Sequence, residues 1–152
     1  MAPNDVRALA ANIAFCETVG IVPGYLTRDA FDGWYDSLEK PAATPPGWVF
    51  GPAWTALYLL MGVGRYLVAE EDASTGLFDL QLALNATWTF VFFGERSIFG
   101  GVAVIAALWV AILLTIVAFA RVSRVAALLL VPYLLWVSFA TYLNVSIWRR
   151  NR

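Results

Sequence analysis

Five apolar runs of membrane-spanning length dominate this chain, joined by connectors too short to fold on their own. A helix crossing the hydrocarbon slab needs about 20 mostly apolar residues, because lipid satisfies none of its backbone polar groups. The runs lie at about 6–26, 47–69, 77–93, 98–120 and 125–148. With 61% hydrophobic and 14% charged residues in a chain of 152, the composition falls outside the range of soluble domains. The first run has a weakly positive start, as a signal peptide would, but Glu17 interrupts it and no Ala-x-Ala exit follows. It is therefore read as a span. The expectation is an all-α membrane protein: one domain over residues 1–152, folded as a five-transmembrane-helix bundle.

The connectors set the order of the helices. Residues 94–97 and 121–124 are little more than turns, and 70–76 is short and acidic, so helices two to five are expected as sequential antiparallel neighbours. Five spans place the termini on opposite sides. Arg28, Lys40, Arg96, Arg149, Arg150 and Arg152 then share one side, against Arg7, Arg65, Arg121 and Arg124 on the other. The positive-inside rule favours a cytoplasmic carboxyl end, in the plasma membrane of a microbe.

The one long connector, 27–46, holds Pro41, Pro45 and Pro46, which fix φ and remove backbone donors, so 40–47 is excluded from regular helix. Residues before each proline are pushed towards extended geometry, which makes the segment stiff. Trp34 and Tyr35 precede it, and Trp48, Phe50 and Trp54 follow. Two readings fit these residues: a cover over a cavity, or a connector pinned at the membrane interface by its aromatic rings.

The chain has no histidine and one cysteine, Cys16. That removes the commonest metal ligand, the usual general base and any disulfide within one chain. No Ser-His-Asp set, phosphate loop or metal cluster assembles, so no catalytic residues are assigned. A net charge of −1 with acidic connectors gives no footprint for nucleic acid. Attention falls instead on polar and aromatic groups inside the spans. Asn85, Trp88 and Thr89 share one face of helix three, as Trp54 and Tyr58 do on helix two. Trp136, Ala140, Leu143 and Asn144 form a stripe on helix five, where Pro132 is expected to bend the helix. Such rings either fill a bundle or wall a pocket for a flat apolar ligand, the asparagines bonding across helices. Ala103, Ala107, Ala111 and Thr115 make a small-residue stripe on helix four, for bundle packing or for a dimer. Glu17 is expected to find a polar neighbour or the span boundary.

At these residues the chain resembles the translocator protein family, also called tryptophan-rich sensory proteins or peripheral-type benzodiazepine receptors. The matching blocks are Trp34-Tyr35-x-x-Leu38-x-Lys40-Pro41 with Pro45-Pro46, and Gly51-Pro52-x-Trp54 with Leu57-Tyr58 and Met61-Gly62. Then come Gln81-Leu82-x-Leu84-Asn85-x-x-Trp88 with Phe92-Phe93-Gly94, Val131-Pro132-Tyr133-Leu134-x-Trp136, and Phe139-Ala140-Thr141-x-Leu143-Asn144 with Trp148-Arg149. They cover about residues 34 to 149; the first helix adds little.

The resemblance implies five transmembrane helices, the first connector folded as a lid, a cavity beneath it, and a homodimer. It implies porphyrin or haem as ligand, with sterols, other lipids and synthetic isoquinoline or benzodiazepine compounds as further classes, and no required cofactor. Carried over residue by residue, the pocket takes Tyr35, Pro45 and Phe50 from the lid region. From the helices it takes Trp54, Tyr58, Asn85, Trp88, Thr89, Trp136, Ala140 and Leu143. Some bacterial members are held to degrade porphyrin in light, with tryptophans at the positions of Trp54 and Trp136 implicated. Two departures shift the ligand. Ala42-Ala43 stands where the family often has tryptophan, which loosens the lid's seal. Val145 stands where sterol-binding members carry an aromatic ring, and six residues separate Tyr142 from Arg149, one more than the weak sterol pattern allows. Porphyrin is favoured, held by stacking rather than by histidine ligation. The expected function is a tetrapyrrole-binding sensor or carrier, with light-dependent degradation or a ligand-free regulatory subunit as alternatives.

Overall fold

The computed structural model describes residues 2–152, which are helical wherever they are regular. Helix α1 spans Pro3–Leu26, with Pro3 in its first turn, where a missing N–H costs nothing. Helix α2, Arg28–Asp32, opens the long connector, which continues through single 3-10 turns at Tyr35–Ser37 and Gly47–Val49. Between those turns no helix forms, as the prolines require. Helices α3 (Phe50–Ala69) and α4 (Gly76–Thr89) follow, and α4 runs on into one wide π turn, Phe90–Gly94. Helix α5 is Ile98–Ala120, α6 is Arg124–Leu129 and α7 is Val131–Asn151. Ser97 and Ser123 cap α5 and α6, their hydroxyls accepting from Gly100 N at 3.0 Å and Ala126 N at 3.2 Å.

Among the described residues, three helical stretches are long and apolar enough to cross a membrane: Pro3–Leu26, Ile98–Ala120 and Arg124–Asn151. The last was expected as one bent helix over 125–148. It is instead two pieces meeting at Leu130, with Pro132 in the first turn of α7, where it breaks no interior hydrogen bond. The second and third expected runs are helical as α3 and α4, but α4 is 14 residues long before the π turn takes over, and the 20 residues of α3 include Arg65 near the end.

Close helix approach is bought by small residues. Gly20 of α1 lies flat against the Tyr58 ring, and Gly62 of α3 lies against the Ile13 backbone, with no room for a Cβ at either place. Deeper packing includes Phe78 stacked on Phe119, their centroids 5.7 Å apart. The small-residue stripe on α5 divides: Ala111 and Thr115 are buried in the bundle, while Ala103 and Ala107 are exposed. At the end away from the connector, Arg65 clamps three helices, donating to Asp79 Oδ1 at 2.9 Å and to Asn12 Oδ1 at 2.6 Å. Glu17 departs from expectation: its Oε2 is buried with no partner. The one cation of α3, Arg65, is already committed to Asp79 and Asn12.

Candidate functional site

The connector is stiffened from within at two places and tied to the bundle at a third. Lys40 Nζ donates to the carbonyls of Tyr35 (2.8 Å), Leu38 (3.1 Å) and Asp36 (3.2 Å), knotting the 3-10 turn. Thr44 Oγ1 donates to Pro41 O at 2.8 Å, which closes a turn before the extended Pro45–Pro46 pair. Asn151 at the end of α7 clasps the backbone of Glu39 from both sides. Phe31 and Tyr35 hang below this roof as a stacked pair, 5.1 Å between centroids and 9° between planes.

Beneath the roof lies a cavity of about 360 Å³, within the range that holds small ligands. Its walls are rings. Trp54 stacks on Tyr58 at 5.5 Å and lies 6.3 Å from Trp88, which stacks on Phe92 at 5.9 Å; Phe93 then packs against Tyr35 at 5.7 Å. Phe92 and Phe93 are consecutive, and the π turn that holds them places both on the wall. Such turns recur at functional sites for this reason.

Of the residues expected in the pocket, Tyr35, Phe50, Trp54, Tyr58, Trp88, Thr89, Ala140 and Leu143 line the cavity. Three do not. Pro45 is carried past the edge by the extended proline pair, and the roof is made by Phe31, Tyr35 and Gly47. Trp136 stands behind the wall, edge-on to Trp54 at 6.3 Å and 88° and to Phe50 at 6.1 Å, so it buttresses those rings. Asn85 is 1% exposed and lies under the floor. Its Oδ1 accepts from Tyr58 OH at 2.9 Å, its Nδ2 donates to Tyr133 OH at 2.8 Å, and Tyr133 OH donates to Gln81 Oε1 at 2.7 Å. With both ends of its amide occupied, Asn85 is the hub of a buried network and offers no polar handle to a ligand.

The remaining lining groups are mostly occupied too. Trp88 Nε1 donates to Asn144 Oδ1 at 3.1 Å, and the hydroxyls of Thr27 and Thr55 donate back to carbonyls of their own helical segments at 2.8 Å. Among the described residues, the lining donors with no partner in the chain are the Trp54 indole and the hydroxyls of Tyr25 and Tyr35. Burial, and secondarily the Asp36 carboxylate, pushes the Tyr35 phenol up to about 12, so it is a neutral donor at physiological pH. No group of three His, Cys, Asp or Glu among the described residues is placed to hold a metal ion. The site can stack, enclose and hydrogen-bond a flat molecule.

Sequence reasoning missed a wall. Gly20, Ile21, Gly24 and Tyr25 of α1 line the cavity, although no residue of the first helix was expected in the pocket. The Gly20-x-x-x-Gly24 spacing was the signal available.

The chain matches the model of the TspO/MBR family over residues 12–149. It is 42% identical to "Tryptophan-rich protein TspO" of Chlorobaculum tepidum, over 97% of this chain and 98% of that one. It is 39% identical to the protein of the same name from Archaeoglobus fulgidus, over 97% and 99%. With the human "Translocator protein" it shares 45% identity, over 78% of this chain and 75% of that one.

Proposed function

This chain belongs to the TspO/MBR family, and on that premise we propose that it is an integral membrane sensor or carrier for a porphyrin or haem. In this reading α1, α3, α4 with its π turn, α5 and the α6–α7 pair are five spans, and 27–46 is a lid. The carboxyl end and the lid face the cytoplasm across a microbial plasma membrane, and two copies form a homodimer. The observation that supports the ligand class is the aromatic enclosure. Rings from the connector, α3, α4 and its π turn surround a space of about 360 Å³ whose free polar groups are neutral donors. A macrocycle would stack on Trp54 and Trp88 and present peripheral oxygen acceptors to Tyr35 and Trp54. Titration with protoporphyrin IX should quench the tryptophan fluorescence saturably. Trp54→Ala with Trp88→Ala should weaken binding about tenfold or more, the loss of one aromatic contact's worth of energy. Full affinity in that variant would remove this cavity as the site.

A second reading, light-dependent breakdown of bound porphyrin, is favoured by one observation. Trp54 lines the cavity and stands 6.3 Å from both Trp88 and Trp136, so a Trp54 that has given an electron to the photoexcited porphyrin could be reduced again by either ring. Absorbance of the complex under illumination, beside a dark control and Trp136→Phe, separates the two readings.

A further inference from the structure

We propose that the cavity fills sideways from the bilayer, through a slot between the lid-side ends of α1 and α3, while the lid stays latched. This rests on the reading above only in taking the cavity to be a ligand site.

The two helices touch closely in one place and part in another. At Gly20 the α1 backbone lies against the Tyr58 ring, so nothing passes there. One turn nearer the lid the contact ends: a Cβ added at Gly24 or at Gly51 would meet no atom within 4 Å. Gly24, Gly51 and Thr55 are exposed, and all three line the cavity, so on this side the wall is a gap between two glycine-edged helices. The roof contrasts with it, being held by the Lys40 knot and the Asn151 clasp.

The slot's edges suit lipid. The Thr55 hydroxyl is turned back on Gly51 O at 2.8 Å, so that rim offers hydrocarbon no unpaired polar group. Tyr25, 63% exposed, stands at the rim on α1, and Trp48, 76% exposed, lies just before α3. Exposed Tyr and Trp at helix ends mark the boundary between headgroups and acyl chains. The slot therefore opens at the depth where flat amphipathic molecules collect, and a ligand dissolved there enters without crossing water or raising the lid.

The test needs no porphyrin. Ala140→Cys, on the cavity wall, is placed in a Cys16→Ser background and reconstituted in phosphatidylcholine vesicles. Its labelling is timed with N-(1-pyrenyl)maleimide, which partitions into the bilayer, and with a charged, water-soluble methanethiosulfonate. Relative to each reagent's rate with a free thiol in solution, the bilayer reagent should react about tenfold faster than the aqueous one, and Gly24→Leu with Thr55→Leu should slow it about tenfold. Asn151→Ala should change that rate less than about twofold. A Cβ at Gly24 meets open space and leucine is a better helix former than glycine, so the plugged protein should fold. Tyr25→Ala, which widens the slot, should speed the bilayer reagent alone. Faster aqueous labelling, an unslowed plugged variant beside an accelerated Asn151→Ala, or a cysteine neither reagent reaches would each overturn the proposal. Failure of the porphyrin reading would appear separately, in the quenching titration.

Discussion

The side-chain amide of Asn151 pairs with the backbone of Glu39 at both its groups. Nδ2 donates to Glu39 O at 2.9 Å, and Oδ1 accepts from Glu39 N at 3.0 Å. A third bond, Nδ2 to Ile147 O at 2.7 Å, fixes which way the amide faces. One residue at the end of α7 thus imitates a strand's ladder and ties down a segment that its prolines bar from regular helix.

Removing the clasp should free the lid and leave the helices intact. Asn151→Ala deletes both bonds, each worth about 1 kcal/mol. Asn151→Asp keeps the acceptor, loses the donor, and adds a negative charge at a helix carboxyl end, where the dipole disfavours it. Amide hydrogen exchange over 33–46 should rise by roughly ten- to thirtyfold in the alanine variant, the ratio that 1.4 to 2 kcal/mol gives. Exchange in α3 and α5 should not move. An unchanged lid would mean that the packing of Trp34 and Tyr35 on Phe92 and Phe93 holds it instead.

The buried network under the floor should be the costliest polar site to damage. Asn85→Ala leaves Tyr58 OH without its acceptor and Tyr133 OH without its donor beside a void in an apolar interior, while Tyr133 still donates to Gln81. Each unpaired group costs about 1–3 kcal/mol in water-soluble proteins and less within membranes, so about 2 kcal/mol is expected in all. Tyr58→Phe, which strips one bond, should cost about half as much. Thermal unfolding in detergent checks the ranking, and a Tyr58→Phe loss larger than that of Asn85→Ala would displace Asn85 as the hub.

The sequence announced rings and amides but not the space between them. Trp54, Tyr58 and Trp88 were legible because bulky or polar side chains inside an apolar run call for a reason, and they line the cavity. Asn85 was legible as important and misread in role. Helical spacing groups it with Trp88, but its partners Tyr58 and Tyr133 lie on other helices, so only coordinates show its amide already occupied. Trp136 shares a stripe with Ala140 and Leu143, yet packs against Trp54 and Phe50 behind the wall. The α1 wall was missed because glycines carry no chemistry to flag; they act through close approach at Gly20 and through emptiness at Gly24. The break at Leu130 was foreseen as a bend, since Pro132 marks a disruption without saying whether the helix yields or restarts.

The two α1 glycines should respond in opposite directions to the same change. At Gly20 a new methyl collides with the Tyr58 ring and must push α1 away or tilt a ring of the cavity wall. Overpacking of this kind costs about 1–3 kcal/mol. At Gly24 the methyl meets nothing, and alanine in place of glycine within a helix gains up to about 1 kcal/mol. Melting temperatures in one detergent should therefore fall for Gly20→Ala and rise or hold for Gly24→Ala. Equal shifts would show that α1 does not sit on α3 at Tyr58.

Alkali should loosen the lid through Tyr35. The residue is 6% exposed under the roof, and burial, then Asp36, raises its phenol from the ordinary value of 10.0 to about 12. With the lid open the phenol ionises near 10; with it closed the phenol resists until about 12. Below pH 10 both forms are neutral and closure is unaffected. As pH climbs from 10 towards 12, only the open form gains the favourable ionisation, so closure weakens across that window and the loss is complete above it. Phenolate absorbance of the wild type minus Tyr35→Phe should therefore titrate near 12. Asp36→Asn should lower that midpoint slightly, because its charge is the smaller cause. Asn151→Ala should lower it further, because an unlatched lid admits water to the ring and removes the larger one. A Tyr35 midpoint near 10 in the wild type would mean that the roof does not close over it.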